Sequence, residues 1–86
     1  MKIGMAGTLE SNDVMIIVKP SDELKITVKS IVYDFFGEQI EKVIKDTLRE
    51  LGIHRVEIEC NDKGALDYTI RARLITAIRR MGKIDA

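Results

Sequence analysis

The alternation of apolar and polar positions divides the chain into a short irregular beginning and five periodic segments. Residues 1–13 hold two glycines and a Ser-Asn-Asp cluster without a sustained period. They read as a mobile or weakly ordered arm. Val14 to Val18 is an apolar, largely β-branched run. It predicts a strand that is apolar on both faces, and therefore central or covered twice. Lys19-Pro20-Ser21-Asp22-Glu23 ends it, because proline has no N–H to give a ladder and Ser-Asp favours a turn. From Leu24 to Lys29 the pattern alternates, with Leu24, Ile26 and Val28 on one side and Lys25, Thr27 and Lys29 on the other. The short loop before it predicts a hairpin between these two strands.

The period then changes. Ser30 is placed to cap a helix. Ile31, Val32, Phe35, Phe36, Ile40, Val43, Ile44, Leu48 and Leu51 share one face at a 3.6-residue spacing, and Gly52 stops it as a left-handed cap. Val56, Ile58 and Cys60 alternate with Glu57 and Glu59 as a third strand. Asn61-Asp62-Lys63-Gly64 turns the chain, with Asp62 as the cap of a second helix whose stripe is Leu66, Ile70, Leu74, Ile78 and Met81. The order ββαβα predicts an α+β fold, a small three-stranded sheet with two helices packed on one face, in a single domain over residues 1–86. The strands on either side of the first helix are expected to run parallel.

Charge narrows the function classes. Fourteen basic residues balance fourteen acidic ones, and this neutrality argues against nucleic acid as a partner. Four arginines, Arg71, Arg73, Arg79 and Arg80, with Lys83 beyond them, nevertheless gather on the second helix. They read either as a solvated face, as a docking face for an acidic partner, or as a grip on phosphates. A single cysteine excludes an intramolecular disulfide and any paired-cysteine zinc site. Cys60 shares the parity of Val56 and Ile58, which makes it buried and inert, and His54 has no companion ligand, so no metal is expected. No apolar run approaches the roughly 20 residues that span a bilayer, and the first residues lack the apolar core of a signal peptide. Together these predict a cytoplasmic protein with no membrane partner.

Ser11 stands between Glu10 and Asp13 in the segment Ala6-Gly7-Thr8-Leu9-Glu10-Ser11-Asn12-Asp13, directly before the first apolar run. No base stronger than an ordinary carboxylate accompanies it, which makes it a poor nucleophilic catalyst but an accessible attachment point. With Asn61-Asp62-Lys63-Gly64-Ala65-Leu66-Asp67 and Arg71-Ala72-Arg73-Leu74, this segment resembles the acyl carrier (gamma) subunits of citrate lyase, from about Ala6 to Met81. The resemblance implies a non-catalytic carrier with Ser11 as the covalent attachment site of a 2'-(5''-phosphoribosyl)-3'-dephospho-coenzyme A arm. It implies the citrate lyase alpha (acyl transferase) and beta (citryl lyase) subunits as partners, and a holo-carrier synthase transferase that installs the arm. In that family the arm carries acetyl and citryl thioesters while citrate is cleaved to acetate and oxaloacetate. Gly7 and Asn12 are expected to lend the Ser11 segment flexibility. Two other readings stand beside it: a malonate decarboxylase-type carrier, and a small RNA-binding or regulatory α+β domain using the second helix.

Overall fold

In the computed structural model, which describes residues 2–82, the chain forms β1 (Gly4–Gly7), β2 (Val14–Pro20), β3 (Lys25–Ser30), α1 (Tyr33–Leu51), β4 (Val56–Asp62) and α2 (Asp67–Met81). Lys83, expected to extend the basic face, lies outside the described residues. The strands make one sheet in the order β1-β2-β4-β3. Both helices cover the face that carries Ala6, Val14, Ile16, Val18, Val56, Ile58 and Cys60. The other face, with Met5, Met15, Ile17, Thr27, Lys29 and Glu59, has no helix over it among the described residues.

The α+β class and the two helices on one face follow the periodicity. The sheet has four strands rather than three, because Gly4–Gly7 pairs antiparallel with β2 from Gly4↔Val18 to Gly7↔Met15. The sequence Gly-Met-Ala-Gly carries no alternation that marks a strand. It is selected instead by closeness: a Cβ on Gly4 would lie 1.8 Å from the carbonyl oxygen of Ala77, so β1 lies backbone to backbone against α2.

The expected hairpin between the next two strands is absent. β4 lies between β2 and β3, antiparallel to the first and parallel to the second. The crossover β3-α1-β4 lays β4 beside β3, and the Ser21–Leu24 connection therefore spans a strand's width instead of turning tightly. β2 is central as expected but covered once: Val14, Ile16 and Val18 are buried, while Met15 and Ile17 are half-buried on the open face.

α1 begins later than its apolar stripe. Ser30 closes β3 instead of capping the helix: its hydroxyl donates to Asp62 Oδ2 (2.7 Å) and accepts the Val32 N–H (3.1 Å). The buried part of α1 is Gly37, Ile40, Ile44, Thr47 and Leu48. Ile31, Phe35 and Phe36, expected in the core, are 66%, 84% and 55% exposed. The first turn of α1 holds these side chains toward solvent, so the period starts before the part of the helix that is buried. α2 buries Ile70, Leu74, Ala77, Ile78 and Met81, and Leu66 stands exposed as its N-cap residue. Gly52 closes α1 with φ 68°, as its position predicts.

Candidate functional site

Ser11 lies at the tip of the connection between β1 and β2, exposed to solvent. Two residues shape the connection. Gly7 has φ +95°, and a Cβ there would lie 1.7 Å from the carbonyl oxygen of Val14, so only glycine starts this turn. Asn12 has φ 66°, the single non-glycine residue with positive φ among the described residues, a conformation asparagine tolerates better than most. Both were expected to supply flexibility; the structure uses them for left-handed backbone in a turn tied at many points.

Those ties come from distant parts of the chain. The Asn12 N–H donates to Lys63 O (2.8 Å), and the Lys63 N–H donates back to Asp13 O (2.9 Å). This places the Asn61–Asp67 segment flat against the Ser11 turn. That second segment is itself organised by Asp62, which is 1% exposed and accepts from the Gly64 N–H (3.1 Å), the Ala65 N–H (2.9 Å) and the Ser30 hydroxyl. Asp62 thus holds the turn before α2 rather than capping the helix.

Asp13 is the other anchor. Its carboxylate accepts the Thr8 hydroxyl (2.8 Å) and the Val14 N–H (2.7 Å). Arg73 reaches in from α2 and donates from Nε to Oδ1 (3.1 Å) and from Nη2 to Oδ2 (3.0 Å), a planar two-pronged grip. The three sequence strings that carry the resemblance, around Ser11, Asp62 and Arg73, therefore meet at one place. Nothing in the sequence alone showed that Arg73 serves this turn; its distance of 60 positions from Asp13 hid the pairing.

The grip decides what Asp13 can do. The Arg73 hydrogen bonds, with those of Val14 and Thr8, lower its carboxyl from 3.8 to about 2. A carboxylate so acidic is a weaker base than a free one, and is no candidate to deprotonate Ser11. The lowered value also makes the turn acid-sensitive in a definite window. Stabilisation by ionised Asp13 is fully present above the unfolded value near 3.8 and is lost as pH falls through about 2. NMR of the Asp13 carboxyl carbon should show a midpoint near 2. Arg73→Ala should move that midpoint up toward the ordinary carboxylate range. An unmoved midpoint would show that Arg73 is a bystander.

The remaining chemical residues do not join this site. Cys60 is buried on the helix side, and burial together with nearby Asp62 pushes its thiol up to about 12, so it stays protonated and inert at neutral pH. Of the arginines, Arg71 pairs with Glu50 of α1 (2.6 Å), Arg80 donates to the Met5 carbonyl (2.8 Å) and Arg73 holds Asp13. The basic face is thus largely committed to partners within the chain. No helix among the described residues is long and apolar enough to cross a membrane.

Comparison with known proteins gives the chain's relatives. The family model described as Malonate decarboxylase delta subunit (MdcD), an ACP family, matches residues 1–81. The citrate lyase acyl carrier protein of Streptococcus mutans is 51% identical over 83 residues, 94% of this chain and 81% of the relative. That of Halothermothrix orenii is 51% identical over 79 residues, 91% and 84% of the two chains. That of Haemophilus influenzae (strain PittEE) is 47% identical over 79 residues, covering 92% and 83%. In fold, a chain of a Pseudomonas malonate decarboxylase hetero-tetramer superposes with a TM-score of 0.82 at 19% identity, over 94% of this chain and 84% of that one.

Proposed function

Given that the chain belongs to the family of citrate lyase acyl carrier proteins, we propose that Ser11 is its covalent attachment site and that the chain does no bond-breaking chemistry of its own. The observation that carries this reading is the turn itself. An exposed hydroxyl stands at the tip of a connection whose backbone is fixed by Lys63, Asp62 and Arg73. A turn built this way offers one oxygen to another enzyme at a constant position.

The attached group is a phosphoribosyl-dephospho-coenzyme A arm, which supplies a thiol able to carry acetyl and citryl groups as thioesters. In the attachment step Ser11 Oγ forms a bond to phosphorus of a triphosphoribosyl precursor, and pyrophosphate leaves as its bond to that phosphorus breaks. The serine proton goes to a base of the transferase, since Asp13, a carboxylate of the same turn, is occupied by Arg73 and held acidic. Partners are the alpha and beta subunits of citrate lyase, in the cytoplasm. Anchoring the thiol to one small chain raises its concentration at both active sites. Identity of about half to citrate lyase carriers favours that system over a malonate decarboxylase, to which the likeness at 19% identity is one of fold. The RNA-binding alternative is weakened, because three of the four arginines, Arg71, Arg73 and Arg80, are engaged within the chain.

Co-expression with the cognate transferase and precursor-forming enzyme, followed by intact-mass measurement, tests the assignment. One arm mass is expected on the wild type and none on Ser11→Ala, with both proteins equally folded. An adduct on Ser21 or Ser30 would move the site.

A further inference from the structure

The helix-free face of the sheet holds a trough of about 420 Å³ that runs out to the Ser11 loop. Its floor is Met5, Met15 and Ile17, Leu9 forms the end nearest Ser11, and Lys29 and Asn61 lie across the sheet. The register places these residues together. Met15 is opposite Gly7 on β1 and Asn61 on β4, and Asn61 is opposite Lys29 on β3. With strands about 4.8 Å apart, Met15 and Lys29 are roughly 10 Å from each other. Met5 and Leu9 are 48% and 55% exposed, so this is apolar surface left to water. Lys29 has no ion-pair partner among the described residues, whereas the one carboxylate in the trough, Glu59, is paired with Lys19 at 3.2 Å.

We infer that this trough is the resting site of the arm carried by Ser11, with the Met5-Met15-Ile17 floor under its uncharged portion and Lys29 facing its phosphates. The inference rests on the attachment reading above. Its chemistry follows from the lining. Thioether and aliphatic side chains make an adaptable floor for a flat base or a flexible amide chain. The free ammonium of Lys29 attracts phosphate as a point charge, and the Asn61 amide offers donors without adding negative charge. Leu9 is two positions from the attachment point, so the arm enters the trough without crossing the molecule. Another concavity among the described residues lies between Phe36 and Tyr68 and has Asp62 and Asp67 in its wall. Its carboxylates repel an anionic arm, which favours the sheet side. Docked there, the thiol end is withheld from solvent until a partner subunit draws it out.

Amide and methionine-methyl NMR spectra of the unmodified and the modified protein test this directly, with intact mass first establishing the adduct. Resonances of Met5, Met15, Ile17 and Lys29 should shift on modification, beyond the changes at Thr8–Asp13 that attachment alone causes. Lys29→Glu should still accept the arm, but its docked fraction relative to free should fall by about fivefold, the scale of one exposed ion pair. Rising salt should reduce the wild-type shifts in the same direction. Shifts confined to Thr8–Asp13, or appearing at Phe36 and Tyr68, would overturn the resting site while leaving attachment intact. A missing adduct would overturn both.

Discussion

Gly4→Ala should melt far below the wild type although it adds one methyl group. The new carbon would sit 1.8 Å from the Ala77 carbonyl oxygen and 2.8 Å from the Met81 nitrogen, both backbone atoms of α2. No rotamer relieves a clash of Cβ with backbone. Either α2 lifts from the sheet and exposes its own Leu74 and Ile78, or β1 leaves the sheet and exposes Ala6. The cost is at least at the upper end of overpacking, about 3 kcal/mol. In a domain of this size that lowers Tm by roughly 12–24 °C. Thermal unfolding followed by circular dichroism measures it. A fall under about 4 °C, the worth of 1 kcal/mol, would mean that β1 is not seated on α2 as described.

Asp62→Ala should be nearly as damaging, through hydrogen bonds rather than shape. The carboxylate is 1% exposed and serves the Ser30 hydroxyl and the Gly64 and Ala65 N–H groups. Truncation leaves these donors beside a small void. Each buried donor without a partner costs about 1–3 kcal/mol, and partial relaxation of the half-buried Lys63–Ala65 segment brings the expected total to about 3 kcal/mol. Asp62→Asn keeps one acceptor oxygen and should lose less. The variant has a second signature. Lys63 holds Asn12, so hydrogen exchange at the Asn12 amide should accelerate in Asp62→Ala more than exchange in the middle of α1. Equal acceleration at both places would show a general loss of stability instead of a disconnected Ser11 turn.

The legible part of this fold is the part governed by period. β2, β3, α1, β4 and α2 stand out in the sequence because each buries a stripe, and the parity of Cys60 predicts its burial correctly. Contacts between backbones leave no such trace. β1 is specified by glycines that permit approach to α2, and a residue type that permits contact looks the same as one that breaks structure. Strand order is hidden for a related reason: β3 alternates equally well beside β2 or beside β4, and only the crossover through α1 decides. Phe35 and Phe36 continue a helical period beyond the side chains that α1 buries, and a period carries no information about where its cover ends. At the candidate site, Ser11 is recognisable from its string. The supports it draws from Asp62, Lys63 and Arg73 become apparent only when the chain is folded, since each contact is local in space and remote in sequence.

That remoteness has a consequence in time. Ser11 is made early during synthesis, but the acceptor for Asn12 is Lys63, and the guanidinium for Asp13 belongs to Arg73, in the last helix of the chain. At about 5–20 residues per second, several seconds separate the serine from the groups that shape its turn. A transferase that reads the shape of the turn, and not merely its sequence, would therefore pass over growing or truncated chains and load only finished molecules. Under the attachment proposed at Ser11, no arm would then be spent on a chain whose turn is incomplete.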